Sequence, residues 1–476
     1  MNTMYKENLK SALNKFFNGR IYPIVIAALV LLSHIFGIEF YLNFINIALC
    51  VVSFAVTDSV KPFIPTLCTY IYQLSRKTNL LYPQKEGFLL QGATLYTLVF
   101  LLAIVFAFAL LLFIRRCKKY PGILKKLPLL PSAILLSVAF LMNGAFSPSW
   151  TVPSLLYGVS QIVTFFVIFY FFFVGLRGEK LDEVVDYFAY VTAIMAVILI
   201  LQTGYLYASV EDLFAGSAVI KFKIDYAWGN SNTAGQQMVM TLPMLFFGVM
   251  KGKRPFVYYT IAVLIVICCG VTLSRNALLL SVLGFVLLSV ISCFTGGAKK
   301  QMRVVFPIIV LCIMGGVVLL WGEISQVFTR YFELGFSDAG RYDLWKRGFE
   351  AFLEAPVFGK GFFGVFPGET QRNQIFPILV HNTPIELLCA SGLFGLLAYL
   401  VYRINSFKHF VRRPSLAKTL LGLSILTVVL SSLLDNFIFY NHQMLYYPVV
   451  HAIACSLYFE EEELLPGDLS ANKTLK

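Results

Sequence analysis

The chain has 476 residues, of which 58% are hydrophobic, 16% aromatic and only 13% charged, with a mean hydropathy of +0.76. A soluble domain carries about 25% charged residues, so this polar inventory is too small to cover a water-soluble surface. The 38 Lys and Arg against 25 Asp and Glu give a formal charge of +13, but they collect in short segments between apolar runs. That is the distribution of a membrane protein obeying the positive-inside rule, and nucleic acid is not expected as a partner.

The apolar runs are continuous rather than alternating, and lipid-spanning backbone must satisfy its own hydrogen bonds, so helices are expected rather than a barrel. The fold class read here is an all-α polytopic membrane protein with about 12–14 transmembrane helices and one long extracytoplasmic loop. Residues 1–20 form a basic, amphipathic cytoplasmic start containing "KENLKSALNKFFNGR" (6–20). The run 21–38 lacks a small-residue cleavage site, so no cleavable signal peptide is expected.

The helical core runs from 21 to 321, with spans expected at 21–38, 39–57, 89–114, 127–146, 152–176, 181–205, 234–250, 256–273, 276–294 and 304–321. Spans at 385–404, 418–440 and 443–459 follow, and residues 460–476 form an acidic cytoplasmic tail. The basic segments 115–126, 177–180, 251–254, 299–303 and 403–418 agree in parity and are read as cytoplasmic. The N-terminus reaches the first of them only if one more crossing lies between 58 and 88. "PFIPTLCTYIYQLS" (62–75) is the segment available, though it is short and interrupted by proline.

The same parity puts 206–233 and 322–384 outside, the latter as a small extracytoplasmic subdomain. Within it, Trp345, Phe349, Phe352 and Leu353 are spaced to share one side of a helix lying along the membrane surface. "EAPVFGKGFFGVFPGE" (354–369) then breaks that helix.

Polar groups on the outer side need a reason. Arg275 in "TLSRNA" sits where two apolar runs meet, against the positive-inside trend. Arg341 in "AGRYDLWKRGFE" lies one turn before Trp345. His381 and Asn382 fall just before Pro384 at a helix start, with Glu386 close behind. The remaining histidines, His34, His409, His442 and His451, read as structural. Guanidinium groups grip phosphate oxygens and stay charged, while imidazole moves protons near neutrality. The nine cysteines show no CxxC or metal-like spacing, and no DxD, Walker or HExxH pattern occurs.

Four stretches, "WGNSNTAGQQMVMTLPML" (228–245), "TLSRNALLLSVLG" (272–284), "GRYDLWKRGFEAFLEAPVFGKGF" (340–362) and "HNTPIELLCASGLFGLLAYL" (381–400), occur in an order that resembles the O-antigen ligase and polymerase superfamily. The resemblance spans about residues 225–405. It implies a C-type, metal-independent inverting glycosyltransferase of the bacterial cytoplasmic membrane, without cofactor, working on the extracytoplasmic side. The donor implied is an undecaprenyl-diphosphate-linked glycan, and the acceptor a glycan, lipid or protein hydroxyl. By the resemblance, Arg275 and Arg341 hold the diphosphate and His381 assists the acceptor hydroxyl. Trp345, Asn382, Glu386, Asn230 and Asn232 are expected around the substrates. Ligase and polymerase both fit. The alternative class, a transporter or flippase of lipid-linked glycans, should place its ionisable groups near the bilayer midplane rather than at one face.

Overall fold

The structure, a computed structural model, describes residues 2–36, 38–73, 93–208, 226, 228–319, 321–322, 325, 341–366, 377, 379–412, 414–440 and 444–463. These residues are helical with no strand among them, as the continuous apolar runs require. In chain order the helices are α1 (Asn2–Phe17), α2 (Ile21–Phe36), α3 (Glu39–Val56), α4 (Phe63–Thr69), α5 (Ala93–Lys119), α6 (Leu130–Leu141), α7 (Val152–Gly175) and α8 (Leu181–Ala208). They continue as α9 (Ser231–Lys251), α10 (Pro255–Val271), α11 (Arg275–Phe294), α12 (Lys299–Leu319), α13 (Arg341–Glu354), α14 (Thr383–Val411), α15 (Leu416–Leu434) and α16 (Tyr446–Glu463).

Five of these, α7, α8, α11, α14 and α15, are long and apolar enough to cross a membrane by themselves; shorter apolar helices such as Leu130–Leu141 and Pro255–Val271 accompany them. Leu279, Leu283, Val286, Leu287 and Val290 on α11 stay exposed. A water-soluble protein does not carry such stripes, whereas lipid tails cover them without cost. The chain is a polytopic membrane protein.

At the centre lies α9, buried along almost its whole length and packed by α8, α10, α11 and α15. A helix without a polar face belongs in such a position. On α9, Gln237 Oε1 accepts from the Tyr72 hydroxyl (3.1 Å), and just ahead of the helix Trp228 Nε1 donates to Gln202 Oε1 of α8 (3.0 Å).

Two ends can be distinguished. At the basic end, buried Arg116 donates to the Arg177 carbonyl (2.9 Å) and to that of Asp58, and pairs with Glu179 (3.0 Å), tying three turns together. Lys251, Lys253 and Arg254 lie at the same end of α9 and α10. The segment 63–73 starts there, where Tyr22 meets Thr66 (3.1 Å), and ends where the Tyr72 carbonyl accepts from Gln202 (3.2 Å) beside Trp228. Its α4 and following 3₁₀ turn are roughly 18 Å long, short of a hydrocarbon core of about 30 Å, and they run among other helices. Residues 74–92, and with them the remainder of this stretch, lie outside the described residues.

Two expected spans differ from what forms. The run 385–404 is not one straight helix, because α14 breaks at Gly392, whose φ of 68° and ψ of −167° suit glycine alone. The break is filled by residues 356–361: the Lys360 and Gly361 amides donate to the Cys389 and Ala390 carbonyls (2.8 and 2.9 Å), and the Leu393 and Phe394 amides donate to the Pro356 and Val357 carbonyls (2.8 and 3.2 Å). Thus the described part of the long loop is threaded into the helical body. The run 418–440 also divides, since α15 stops at Leu434 and Asp435 turns the chain into a 3₁₀ turn at Phe437–Phe439.

Helix α13 forms inside the stretch expected to carry a helix along the membrane surface. Its buried stripe is Gly348 and Ala351, with Leu344 and Trp345 partly covered, while Phe349 and Leu353 remain exposed. Gly348 sits so close to α14 that an added Cβ would lie 3.0 Å from Ile385 and 3.1 Å from Val380.

Candidate active site

The end opposite the basic one gathers the starts of α9, α11, α13 and α14 and the end of α15. Three of these starts, those of α14, α11 and α9, are fixed by a side-chain cap. Asn382 caps α14 by accepting from the Ile385 amide (3.0 Å), and Pro384 supplies the fixed φ of the first turn. Ser274 caps α11, and Asn230 caps α9 by accepting from the Thr233 amide and hydroxyl (2.9 and 3.1 Å).

His381, just ahead of the α14 cap, has φ of +55°. A side chain held there costs about 1–3 kcal/mol and persists only where neighbours fix it. They do so on both sides. The preceding Val380 amide donates to Glu386 Oε2 (2.8 Å), and the following Asn382 donates through Nδ2 to the Leu433 carbonyl (3.0 Å). The imidazole itself is 2.7 Å from Asp435 Oδ1 through Nδ1. Its side chain is 35% exposed and that of Asp435 only 7%, so the ring can be reached from outside while its carboxylate partner cannot.

With the Nδ1 proton directed at Asp435, Nε2 carries the lone pair and is the nitrogen able to accept a proton. Asp435 Oδ1 also accepts from the Asn436 amide (2.9 Å), and the Asn436 side chain donates to Glu386 Oε2 (2.9 Å). Glu386 is wholly buried, and its other oxygen, Oε1, has no hydrogen-bond partner among the described residues. Glu386, expected beside the substrates, is buried, and its carboxylate holds the backbone just before His381 and the Asn436 side chain just after Asp435.

The end of α15 also reaches the α10–α11 turn. Asn276, next to Arg275, donates through Nδ2 to the Ser431 carbonyl (3.2 Å). Ser431, Leu433 and Asp435 therefore tie the Arg275 turn and the His381 turn to a single short stretch. Arg275 is exposed at the first position of α11. Arg341, half-buried, opens α13, which packs on α14 through Trp345, Gly348, Val380 and Ile385. Asn230 is an exposed cap and Asn232 a half-buried residue of the first α9 turn. All eight expected residues thus lie on elements that meet at one end.

The other expected histidines behave structurally where they can be described. His451 is buried between Tyr402 (3.1 Å) and Ser406 (2.8 Å), and His409 bonds to the Asn405 carbonyl (2.9 Å). The side chain of His34, and His442, lie outside the described residues, as do 209–225 and 326–340 of the two outer stretches. Among the described residues, no three His, Cys, Asp or Glu side chains converge as a metal ion would need.

Asp435 and Asn436 are absent from the residues singled out in the sequence. A signal was there: an acid and an amide inside an otherwise apolar run mark a functional position by default.

The family model described as O-antigen ligase matches residues 260–400. The matched segment runs from α10 through the break in α14 and takes in Arg275, Arg341, Trp345, His381, Asn382 and Glu386, while Asn230, Asn232 and Asp435 lie outside it. No curated protein matches the chain. The match takes in three of the four stretches that carried the resemblance, leaves out 228–245, and covers well under half of the chain.

Proposed function

We propose that this O-antigen-ligase-like membrane protein is a metal-independent inverting glycosyltransferase. It moves glycan from an undecaprenyl-diphosphate-linked donor to a hydroxyl of a lipid core, a growing surface polysaccharide or a wall polymer. The basic end faces the cytoplasm, as its Lys and Arg favour, so the chemistry occurs at the outer face of the bacterial cytoplasmic membrane. The observation that carries the reading is the His381–Asp435 pair, held at a helix start and braced to the Arg275 turn through α15.

Arg275 and Arg341 bind the diphosphate oxygens and stabilise the charge that grows there as the sugar C1–O bond breaks. The starts of α9, α11, α13 and α14 add the positive ends of four helix dipoles. His381 Nε2 takes the proton of the acceptor hydroxyl as that oxygen attacks C1 from the side opposite the diphosphate. One C–O bond forms, one breaks with its electron pair going to the diphosphate, and undecaprenyl diphosphate leaves. Asp435 holds the ring in the tautomer that leaves Nε2 free and balances the imidazolium that forms. Trp345, Asn230 and Asn232 line the approach of the sugars.

The clustering of these groups at one end favours transfer chemistry over the transporter reading, which needs ionisable groups at the midplane. Purified protein in vesicles, supplied with donor and acceptor, should release undecaprenyl diphosphate. His381→Ala should slow release by about 10²–10⁴-fold, the usual worth of a general base; release at the wild-type rate would remove His381 from the mechanism.

A further inference from the structure

At the basic end, far from His381, a cavity of about 630 Å³ opens between α2, α8, α9 and α10. Its rim carries Arg20, Lys251, Lys253 and Arg254, and one carboxylate, Asp186. Asp186 is divided between Lys251 (3.2 Å) and Lys253 (3.7 Å), and the Arg20 guanidinium lies over the Tyr190 ring at 5.4 Å. A single acid facing four cations leaves the rim strongly positive.

From that rim the walls become apolar and run one way along three helices. They pass from Arg20 to Leu31 on α2, from Asp186 to Val197 on α8, and from Arg254 to Ile261 on α10. Eleven residues of helix are roughly 16 Å, so the greasy part is deep. Small residues, Ala27, Ala28, Ala189 and Ala193, keep it open. Ile24, Val197 and Val257 are exposed at its edge, on helices whose outer faces meet lipid.

We infer that this cavity is a binding site for an acidic phospholipid of the leaflet at the basic end, its phosphate held by Lys251, Lys253, Arg254 and Arg20 and one acyl chain lying in the groove toward Leu31 and Val197. Charge complementarity selects an anionic headgroup, since basic pockets between transmembrane helices on this side take such lipids. The apolar depth selects a lipid over free phosphate, which would leave those walls uncovered. The site is separate from the glycosyl-transfer reading, and its test does not depend on that activity.

The full-length protein, purified in neutral detergent with equal phosphatidylglycerol and phosphatidylcholine, is analysed by native mass spectrometry for retained lipid. Phosphatidylglycerol should be retained over phosphatidylcholine by roughly 10–100-fold, given the worth of two to three cations near a membrane surface. The double variant Lys253→Gln/Arg254→Gln should lose most of that preference, and Lys253→Arg should keep it. Asp186→Asn, which frees two ammonium groups, should strengthen retention, a gain that misfolding cannot produce. Ala193→Trp should fill the groove and expel both lipids. Millimolar inorganic phosphate should not displace the bound phosphatidylglycerol. Equal retention of the two lipids, an unchanged preference in the double variant, or displacement by phosphate would each overturn the assignment.

Discussion

The sharpest perturbation of the proposed site is Asp435→Asn. The amide has the shape of the carboxylate, and its oxygen can still accept from His381 Nδ1 and from the Asn436 amide, which Oδ1 now does at 2.7 and 2.9 Å. Tautomer and fold are thus kept, and what disappears is the negative charge. That charge counts only once His381 has taken the acceptor proton, because a neutral ring interacts with it weakly. Unit charges about 4 Å apart at an effective dielectric of about 20 attract by roughly 4 kcal/mol. At 1.36 kcal/mol per decade this is about a 10³-fold loss in kcat, with donor KM little changed because the diphosphate grip is elsewhere. Undecaprenyl diphosphate release from reconstituted vesicles measures it. The double variant with His381→Ala should be no slower than His381→Ala alone, because the two act as one unit. An Asp435→Asn enzyme within threefold of wild type, or a double variant losing the product of both effects, would refute the reasoning.

Three further outcomes are expected. Arg275→Ala and Arg341→Ala should each lower the release rate by about 10²–10³-fold, as loss of one charge-stabilising donor does, and Arg341→Lys should recover little because an ammonium cannot make the bidentate grip. Glu386→Ala leaves the Val380 amide and the Asn436 side chain buried without their acceptor, at about 1–3 kcal/mol each; the thermal unfolding midpoint in detergent should fall, and Glu386→Gln should restore most of it. Gly392→Ala forces a Cβ against the Val357 carbonyl in a conformation glycine alone adopts readily, so the midpoint should fall by the equivalent of about 1–3 kcal/mol or more, where alanine at half-buried Gly284, with open space for a Cβ, should not lower it.

The helices are legible in the sequence because a lipid-facing run needs little but length and apolarity. Expected starts and observed starts differ by a few residues, as at 276 against Arg275 and 385 against Thr383. What stays hidden depends on partners far along the chain. The apolar pattern runs through Gly392 without a mark, since the groups that satisfy the broken helix come from residues 356–361. Asp435 and Asn436 vanish into an expected span of 418–440 for the same reason. A window average counts the apolar residues on either side and misses that two polar ones end the helix. Arg275, Arg341 and His381 stand out because they are costly where they lie; a cap at Asn382 is legible from Pro384 two residues on, whereas that Asn230 is a cap follows only from geometry.

The left-handed backbone of His381 also explains why its support is spread so widely. Left to itself, residue 381 would relax from φ of +55° and swing the ring away. The Val380 amide is held by Glu386, the Asn382 side chain by Leu433, and the ring by Asp435, so three contacts fix one rotatable unit from the segments before, after and beside it. Two of those contacts end on the last turn of α15 and the residue after it, the stretch that also accepts from Asn276. On the proposed mechanism, the base and a diphosphate-binding cation then share one rigid reference, and the gap that must fit a sugar C1 is set by backbone rather than by flexible side chains. On that mechanism, placing the reacting groups on different helices but fastening them to one helix end supplies the near-attack positioning that glycan transfer demands.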